Sequence, residues 1–165
     1  MTQPTTPQDI NSLAAHVLSI ARAKGLRIAT AESCTGGLII GALTEIAGSS
    51  DVVDRGFITY SNAAKIDMLG IDPATLATHG AVSEQIASQM ARGALRASHA
   101  DLAISVTGIA GPGGSEFKPE GRVCFGLAHT NAPIAVTTVE FGAIGRSNVR
   151  QATVEMALKI VRDAL

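Results

Sequence analysis

The feature that most constrains this chain is the alternation of two periodicities along it. From residue 9 to 24, apolar side chains recur at Ile10, Leu13, Ala14, Val17, Leu18 and Ala21. That three-and-four spacing belongs to a helix with one buried face, and Gly25 supplies its stop. Residues 26–31 then read as a short strand. The apolar stretch 38–47 is too long for an ordinary buried strand and reads as a helix closed by Gly48. Residues 56–60 have the β-branched and aromatic content of a strand. Ser61 and Asn62 can cap a helix over 63–69, Asp72-Pro73 can open a smaller one, and Ser83-Glu84 opens a third running to Ala97. Strands follow at 102–106, 121–128 and 134–141, and a helix over 146–165 closes the chain. Helices alternating with strands cover both faces of a mainly parallel sheet. The last two strands follow each other directly, which requires an antiparallel pair. The expectation is therefore α/β: one three-layer α/β/α sandwich over residues 1–165, with a mostly parallel, mixed sheet and a flexible stretch at residues 1–8.

Composition removes several classes of function. Of 165 residues, 46% are hydrophobic and 16% charged, which excludes disorder and a coiled coil. A net charge of −1 without a basic tail lacks the electrostatic footprint of a nucleic-acid binder, and 3% aromatics offer no stacking platform. Cys34 and Cys124 form no disulfide framework or zinc spacing, and His16, His79, His99 and His129 are scattered, so no metal site is expected. The first residues lack the basic and apolar regions of a signal peptide, and no apolar run approaches the ~20 residues of a membrane span. A cytosolic domain is expected, and its apolar, lightly charged composition favours self-association into a homo-oligomer.

Candidate chemistry gathers in three islands. The first, Thr30-Ala31-Glu32-Ser33-Cys34-Thr35-Gly36-Gly37, falls at a strand-to-helix turn, where ligands of open α/β sheets bind. A hydroxyl there can act as a nucleophile with backbone N–H groups stabilising an oxyanion; the same residues also suit a polar cap with tight packing. The run matches neither the Gly-x-Ser-x-Gly elbow nor the phosphate loop that ends Gly-Lys-Ser/Thr. The second island is Thr59-Tyr60-Ser61-Asn62-Ala63-Ala64-Lys65. Lys65 can activate a serine only if its pKa falls from ~10.4 towards neutrality, which takes desolvation or a nearby cation. Ser61, four residues before it, is a rival nucleophile. Tyr60 can orient a proton, stack on a ring or simply pack on a strand. The third island, Thr107-Gly108-Ile109-Ala110-Gly111-Pro112-Gly113-Gly114, reads as a long loop after a buried strand, able to grip a phosphate or amide oxygen through its backbone. Arg146 and Arg150 share a helix face and suit a phosphate or carboxylate, although a solvated face is the commoner use of such a pair. Cys34 ranks below Ser33 as nucleophile, and Cys124 belongs to the core.

These islands, with Arg55-Gly56-Phe57-Ile58 before the second, Ala47-Gly48-Ser49-Ser50, Gly80-Ala81-Val82-Ser83-Glu84 and Lys118-Pro119-Glu120-Gly121, resemble in order the CinA C-terminal domain family from about Ala14 to the C-terminus. The resemblance implies a stand-alone nicotinamide-nucleotide amidohydrolase that converts nicotinamide mononucleotide to nicotinate mononucleotide and ammonia, with no cofactor. Some members carry a further N-terminal pyrophosphatase-like domain, for which this chain has no room. The resemblance further implies a Ser–Lys hydrolase. Ser33 is then the nucleophile, Lys65 the base and Tyr60 a proton-orienting partner. Glu32, Thr35, Gly36, Gly37, Thr107, Gly108, Ala110, Gly111 and Arg146 are the expected substrate contacts. The segment Gly142-Ala143-Ile144-Gly145 departs from the family's more usual Pro-Gly-Asp just before Arg146. Against this stand a non-catalytic nucleotide-binding module, a structural or partner-binding domain and a metal-dependent hydrolase.

Overall fold

The computed structural model describes residues 7–115 and 117–165. The expected flexible stretch lies outside the described residues for 1–6, whereas Pro7 and Gln8 already belong to the first helix. In chain order the elements are α1 (Pro7–Lys24), β1 (Ile28–Glu32), α2 (Leu38–Thr44), β2 (Val53–Ile58), α3 (Asn62–Leu69), α4 (Pro73–His79), α5 (Glu84–Arg96), β3 (Leu102–Gly108), β4 (Arg122–His129), β5 (Ala132–Glu140) and α6 (Arg146–Ala164). A single 3-10 turn, Ser49–Asp51, precedes β2.

The five strands form one sheet in the order β2-β1-β3-β4-β5. β1 runs parallel to both neighbours, while β4 is antiparallel to β3 and β5. Parallel and antiparallel pairings are thus equal in number, where a mostly parallel sheet was expected. The cause is that Arg122–His129 follows β3 through a loop with no helix, and Ala132–Glu140 follows β4 through a tight turn. The second link is far too short for the crossover that a parallel pair requires, and the first, residues 109–121, is rich in Gly and Pro and forms no helix among its described residues.

Strand alternation sorts the core into two layers. Ile28 of β1 and Leu102, Ile104 and Val106 of β3 face α1, α2 and α6, joining Leu18, Ile39, Leu43, Val149 and Leu158 in the larger cluster. On the opposite face the sheet presents small residues, Ala29, Ala31 and Ala103, beneath Ile86 and Met90 of α5. Small residues let α5 lie close. Ser105 Oγ donates to Ala87 O at 2.6 Å, and a Cβ on Gly126 would strike that same carbonyl. Because α1, α2 and α6 pack on one face and α3, α4 and α5 on the other, the three-layer expectation holds.

Two boundaries differ from the sequence reading. β2 begins at Val53, ahead of the expected Gly56, and ends at Ile58. It is an edge strand with a half-exposed pattern, so Asp54 and Arg55 sit in it without being buried. α2 ends at Thr44, short of residue 47, because the chain turns towards Gly48, whose φ of 81° is the left-handed conformation that glycine tolerates. Among the described residues no helix is long and apolar enough to cross a membrane.

Candidate active site

β1 is the point where the sheet order reverses, since the chain leaves it towards β2 by one face and reaches β3 by the other. Open α/β sheets bind ligands outside the carboxyl ends of strands at such a point. Here Ser33 follows β1, Tyr60 lies just beyond β2, and Thr107 and Gly108 end β3. Main-chain bonds fix these ends together: Ser33 N donates to Val106 O at 3.1 Å and Thr59 N to Glu32 O at 2.9 Å. An open cleft of about 840 Å³ lies above them.

Lys65 is the unusual residue. It lies in the first turn of α3, whose start is set by Ser61, extended in backbone and accepting from Ala64 N through its Oγ at 3.0 Å. One turn inward, Lys65 and Leu69 share the buried side of the helix. Lys65 is only 1% exposed, and Nζ donates to Ser33 Oγ at 2.9 Å, Thr59 O at 2.8 Å and Tyr60 O at 3.2 Å. None of these partners is an acid, so no counter-charge offsets the loss of water. Desolvation pulls the ammonium pKa from 10.5 down to about 8, with a small opposing pull from Cys34. The pair that the sequence set 32 residues apart therefore meets as a hydroxyl on an amine that gives up its proton far more readily than an ordinary lysine. Ser61, the rival nucleophile, is exposed and spends its oxygen as a helix cap.

The first island divides into two roles. Ser33 lines the cleft at 8% exposure, and Cys34 lines it beside Ser33. Cys34 is held as a thiol: burial raises its pKa to about 11, with Glu32 adding to the rise and its own backbone amide, Lys65 and Arg150 opposing it. Glu32, Thr35, Gly36 and Gly37 do not line the cleft. Glu32 is wholly buried, and its carboxylate accepts from Thr30 Oγ1 (3.0 Å), Thr35 Oγ1 (2.7 Å) and the amides of Gly37 (3.2 Å), Ile39 (2.9 Å) and Ile40 (3.0 Å). It is the cap that α2 otherwise lacks, because Gly37 at the N-cap has no side chain to offer. The expected substrate contact of Glu32 is thus an internal one. Gly36 and Gly37 serve the turn through φ values of 58° and 105°.

The remaining expected residues do reach the cleft. Thr107, Gly108, Ala110, Gly111 and Arg146 line it, and Tyr60 stands at its edge, 65% exposed. Thr107 Oγ1 donates to Ala81 O at 2.8 Å, so this hydroxyl ties a wall in place. Arg146 donates from Nη1 to Gly111 O at 2.7 Å and from Nη2 to Tyr60 Oη at 3.4 Å. Despite the changed segment before it, Arg146 therefore points at the cleft. Arg150, one helical turn on, does not line it.

The sequence reading missed Lys118 and Asn62 as cleft residues. Lys118 Nζ donates to His79 O and Val82 O, each at 2.6 Å, clamping the loop after β3 to the segment before α5. Its position within Lys118-Pro119-Glu120-Gly121 was the available signal, but only the fold brings that run against residues 79–82. Among the described residues lining the cleft, the charged side chains are Lys65, Lys118 and Arg146, with no carboxylate. Nor do the described residues hold a cluster of His, Cys, Asp and Glu suited to a metal ion.

Comparison with known proteins gives a consistent result. Residues 10–165 match the family model described as the CinA C-terminal domain. The chain is 46% identical over 155 residues to the nicotinamide-nucleotide amidohydrolase PncC of Escherichia coli K12, covering 93% of each. It is 50% identical to a CinA-like protein of Chloroherpeton thalassium, spanning 91% of this chain but only 36% of that longer relative. In structure it resembles the competence/damage inducible protein CihA from Agrobacterium tumefaciens, with a TM-score of 0.91, 51% identity, and coverage of 98% of this chain and 97% of that one.

Proposed function

Because the chain belongs to the CinA C-terminal domain family, we propose that it hydrolyses the carboxamide of nicotinamide mononucleotide to nicotinate mononucleotide and ammonia, by acyl transfer through Ser33. The observation that carries this reading is the buried 2.9 Å contact between Lys65 Nζ and Ser33 Oγ. With a pKa of about 8, roughly a tenth of Lys65 is neutral at pH 7, against less than a thousandth for an ordinary lysine. A neutral amine at hydrogen-bond distance can take the serine proton as Oγ attacks the carboxamide carbon. The carbonyl π electrons move onto oxygen, and main-chain N–H groups of the turn hold that charge. Lys65, now an ammonium, returns the proton to the departing nitrogen, which leaves as ammonia. Water then attacks the resulting ester, again giving its proton to Lys65, and frees the carboxylate and Ser33. Every proton finds a donor and an acceptor without a metal or organic cofactor.

The cleft supports the nucleotide end of the same reading. Lys118 and Arg146 are cations tethered to backbone carbonyls, no carboxylate stands among the described residues lining the cleft, and the glycine-rich loop after β3 brings its backbone to the same space. A phosphate suits such a lining better than an uncharged nucleoside does. The activity belongs in pyridine nucleotide recycling in the cytosol.

The decisive measurement is ammonia release from nicotinamide mononucleotide, with chelator present, by the native protein, Ser33→Ala and Lys65→Met. Turnover by the native chain and its near-abolition in both variants is the expected result. Unchanged turnover in Ser33→Ala would remove Ser33 as nucleophile. A folded native protein that binds the nucleotide and releases no ammonia would make this a binding module.

A further inference from the structure

Asn62 is a cleft residue to which the chemistry above gives no task. It opens α3, is exposed, and is the one side-chain carboxamide among the described residues lining the cleft. Its amide has no hydrogen-bond partner among the described residues. The helix does not need it as a cap, because Ser61 Oγ already accepts from Ala64 N. The hydroxyls of Thr107 and Tyr60, by contrast, are already engaged by Ala81 O and Arg146.

Two constraints place Asn62 beside the reacting atoms. Side chains three apart on a helix are neighbours with Cβ atoms ~5–6 Å apart, so Asn62 shares the side of α3 that carries Lys65. Lys65 is also bent back along its own helix. Its Nζ donates to Thr59 O and Tyr60 O, in the main chain just before Asn62, and to Ser33 Oγ. The amine and the serine oxygen therefore lie at the N-terminal end of α3, with buried Lys65 beneath and exposed Asn62 on the side of the cleft.

A carboxamide under attack by Ser33 keeps two N–H bonds on the nitrogen that has to leave, and both need acceptors. The cations of the cleft, Lys118 and Arg146, offer only donors. We propose that Asn62 selects for an amide substrate: its Oδ1 accepts one N–H of the substrate's carboxamide nitrogen. Holding that N–H turns the lone pair of the same nitrogen towards Lys65. The ammonium proton then passes from Lys65 to nitrogen, the C–N bond breaks with its electron pair on nitrogen, and ammonia departs. Asn62 exchanges no proton. Because the nitrogen gains positive charge as it is protonated, the contact is stronger in the transition state than in the bound substrate, which is where an interaction raises the rate. An ester has no N–H to offer and draws nothing from this oxygen. The inference rests on the acyl-transfer reading of Ser33 and Lys65.

The test measures kcat/KM of native protein, Asn62→Ala and Asn62→Asp on two substrates. One is nicotinamide mononucleotide and the other the methyl ester of nicotinate mononucleotide, each read as nicotinate mononucleotide formed. Pyridine, ribose and phosphate are common to both, and kcat/KM carries each through acylation, so the ratio of amide to ester isolates the contact to nitrogen. Asn62→Ala should lose on the order of 10- to 100-fold on the amide and less than about threefold on the ester, a split that general loosening of the fold does not produce. Asn62→Asp keeps an acceptor oxygen and loses only the N–H donors. Its charge acts on Lys65 whichever substrate is bound, so its amide-to-ester ratio should stay within about fivefold of native. Equal losses on the two substrates in Asn62→Ala would overturn the proposal, as would an amide rate within about threefold of native. So would a ratio in Asn62→Asp as low as that of Asn62→Ala, which would make Nδ2 the working atom. Failure of the underlying reading shows in native protein instead: a native chain that cleaves the ester alone, or neither substrate, removes the amidohydrolase reading and this inference with it.

Discussion

Replacing Lys65 by Met tests the central electrostatic claim without any substrate. A group whose folded pKa lies below its unfolded value destabilises the fold while it is protonated in both states, and this penalty fades as pH rises from the folded towards the unfolded pKa. For Lys65 the window runs from about 8 to 10.5. That displacement is worth roughly 3 kcal/mol, an upper figure that is almost fully present at pH 7. By about pH 9.5 roughly 2 kcal/mol of it should have been relieved. Lys65→Met has no such titration. The carbonyls of Thr59 and Tyr60 lose their donor in the variant, but that loss is the same at every pH. The assay is urea unfolding at a series of pH values, followed by circular dichroism because the chain has no Trp and one Tyr. The expected outcome is that native stability gains about 2 kcal/mol on the Met variant between pH 7 and about pH 9.5, with the other groups cancelling in the difference. Curves that stay parallel within about 0.5 kcal/mol would refute a desolvated Lys65, and with it the base at Ser33.

The same shift predicts that kcat/KM rises with pH as Lys65 loses its proton, with an inflection near 8, measured by ammonia release across pH 6–10. Glu32→Gln should cost roughly 3 kcal/mol or more in chemical denaturation, since an amide nitrogen would face backbone donors that now meet a carboxylate oxygen. Lys118→Ala should raise KM for the mononucleotide while leaving the riboside, which has no phosphate, nearly unaffected; an equal effect on both would place the phosphate elsewhere. Gly126→Ala should destabilise by about 1–3 kcal/mol in thermal melts, because its methyl group meets the Ala87 carbonyl and Ser105 Oγ on the face where α5 lies closest.

Much of the architecture was legible because buried faces leave a periodic trace. The α1 stripe of Ile10, Leu13, Ala14, Val17, Leu18 and Ala21 and the apolar run of β3 each state their own structure, and both are found where expected. β2 leaves no such trace: at the sheet edge it buries little, so nothing in Asp54-Arg55 marks a strand. The catalytic candidates Ser33 and Lys65 were found through motif order, and the fold adds the contact between them. Glu32 was misread for a physical reason. A carboxylate beside a nucleophile looks like a ligand-facing group, but β1 is buried along its whole length, so an acid at its end has to find its partners inside. Arg150 and Arg146 look equivalent in sequence at a spacing of four; which of them reached the cleft depended on helix orientation, which local spacing does not encode.

Glu32 also has a bearing on how a ligand can lie. The start of a helix beside Ser33 is a natural seat for a free anion, and in this protein that seat is already filled by the Glu32 carboxylate. Inorganic phosphate and sulfate therefore find the amides of Gly37, Ile39 and Ile40 already spent. The charged end of a nucleotide must therefore be gripped by side-chain cations such as Lys118 and Arg146, because the main chain at the start of α2 has no donors left to give it.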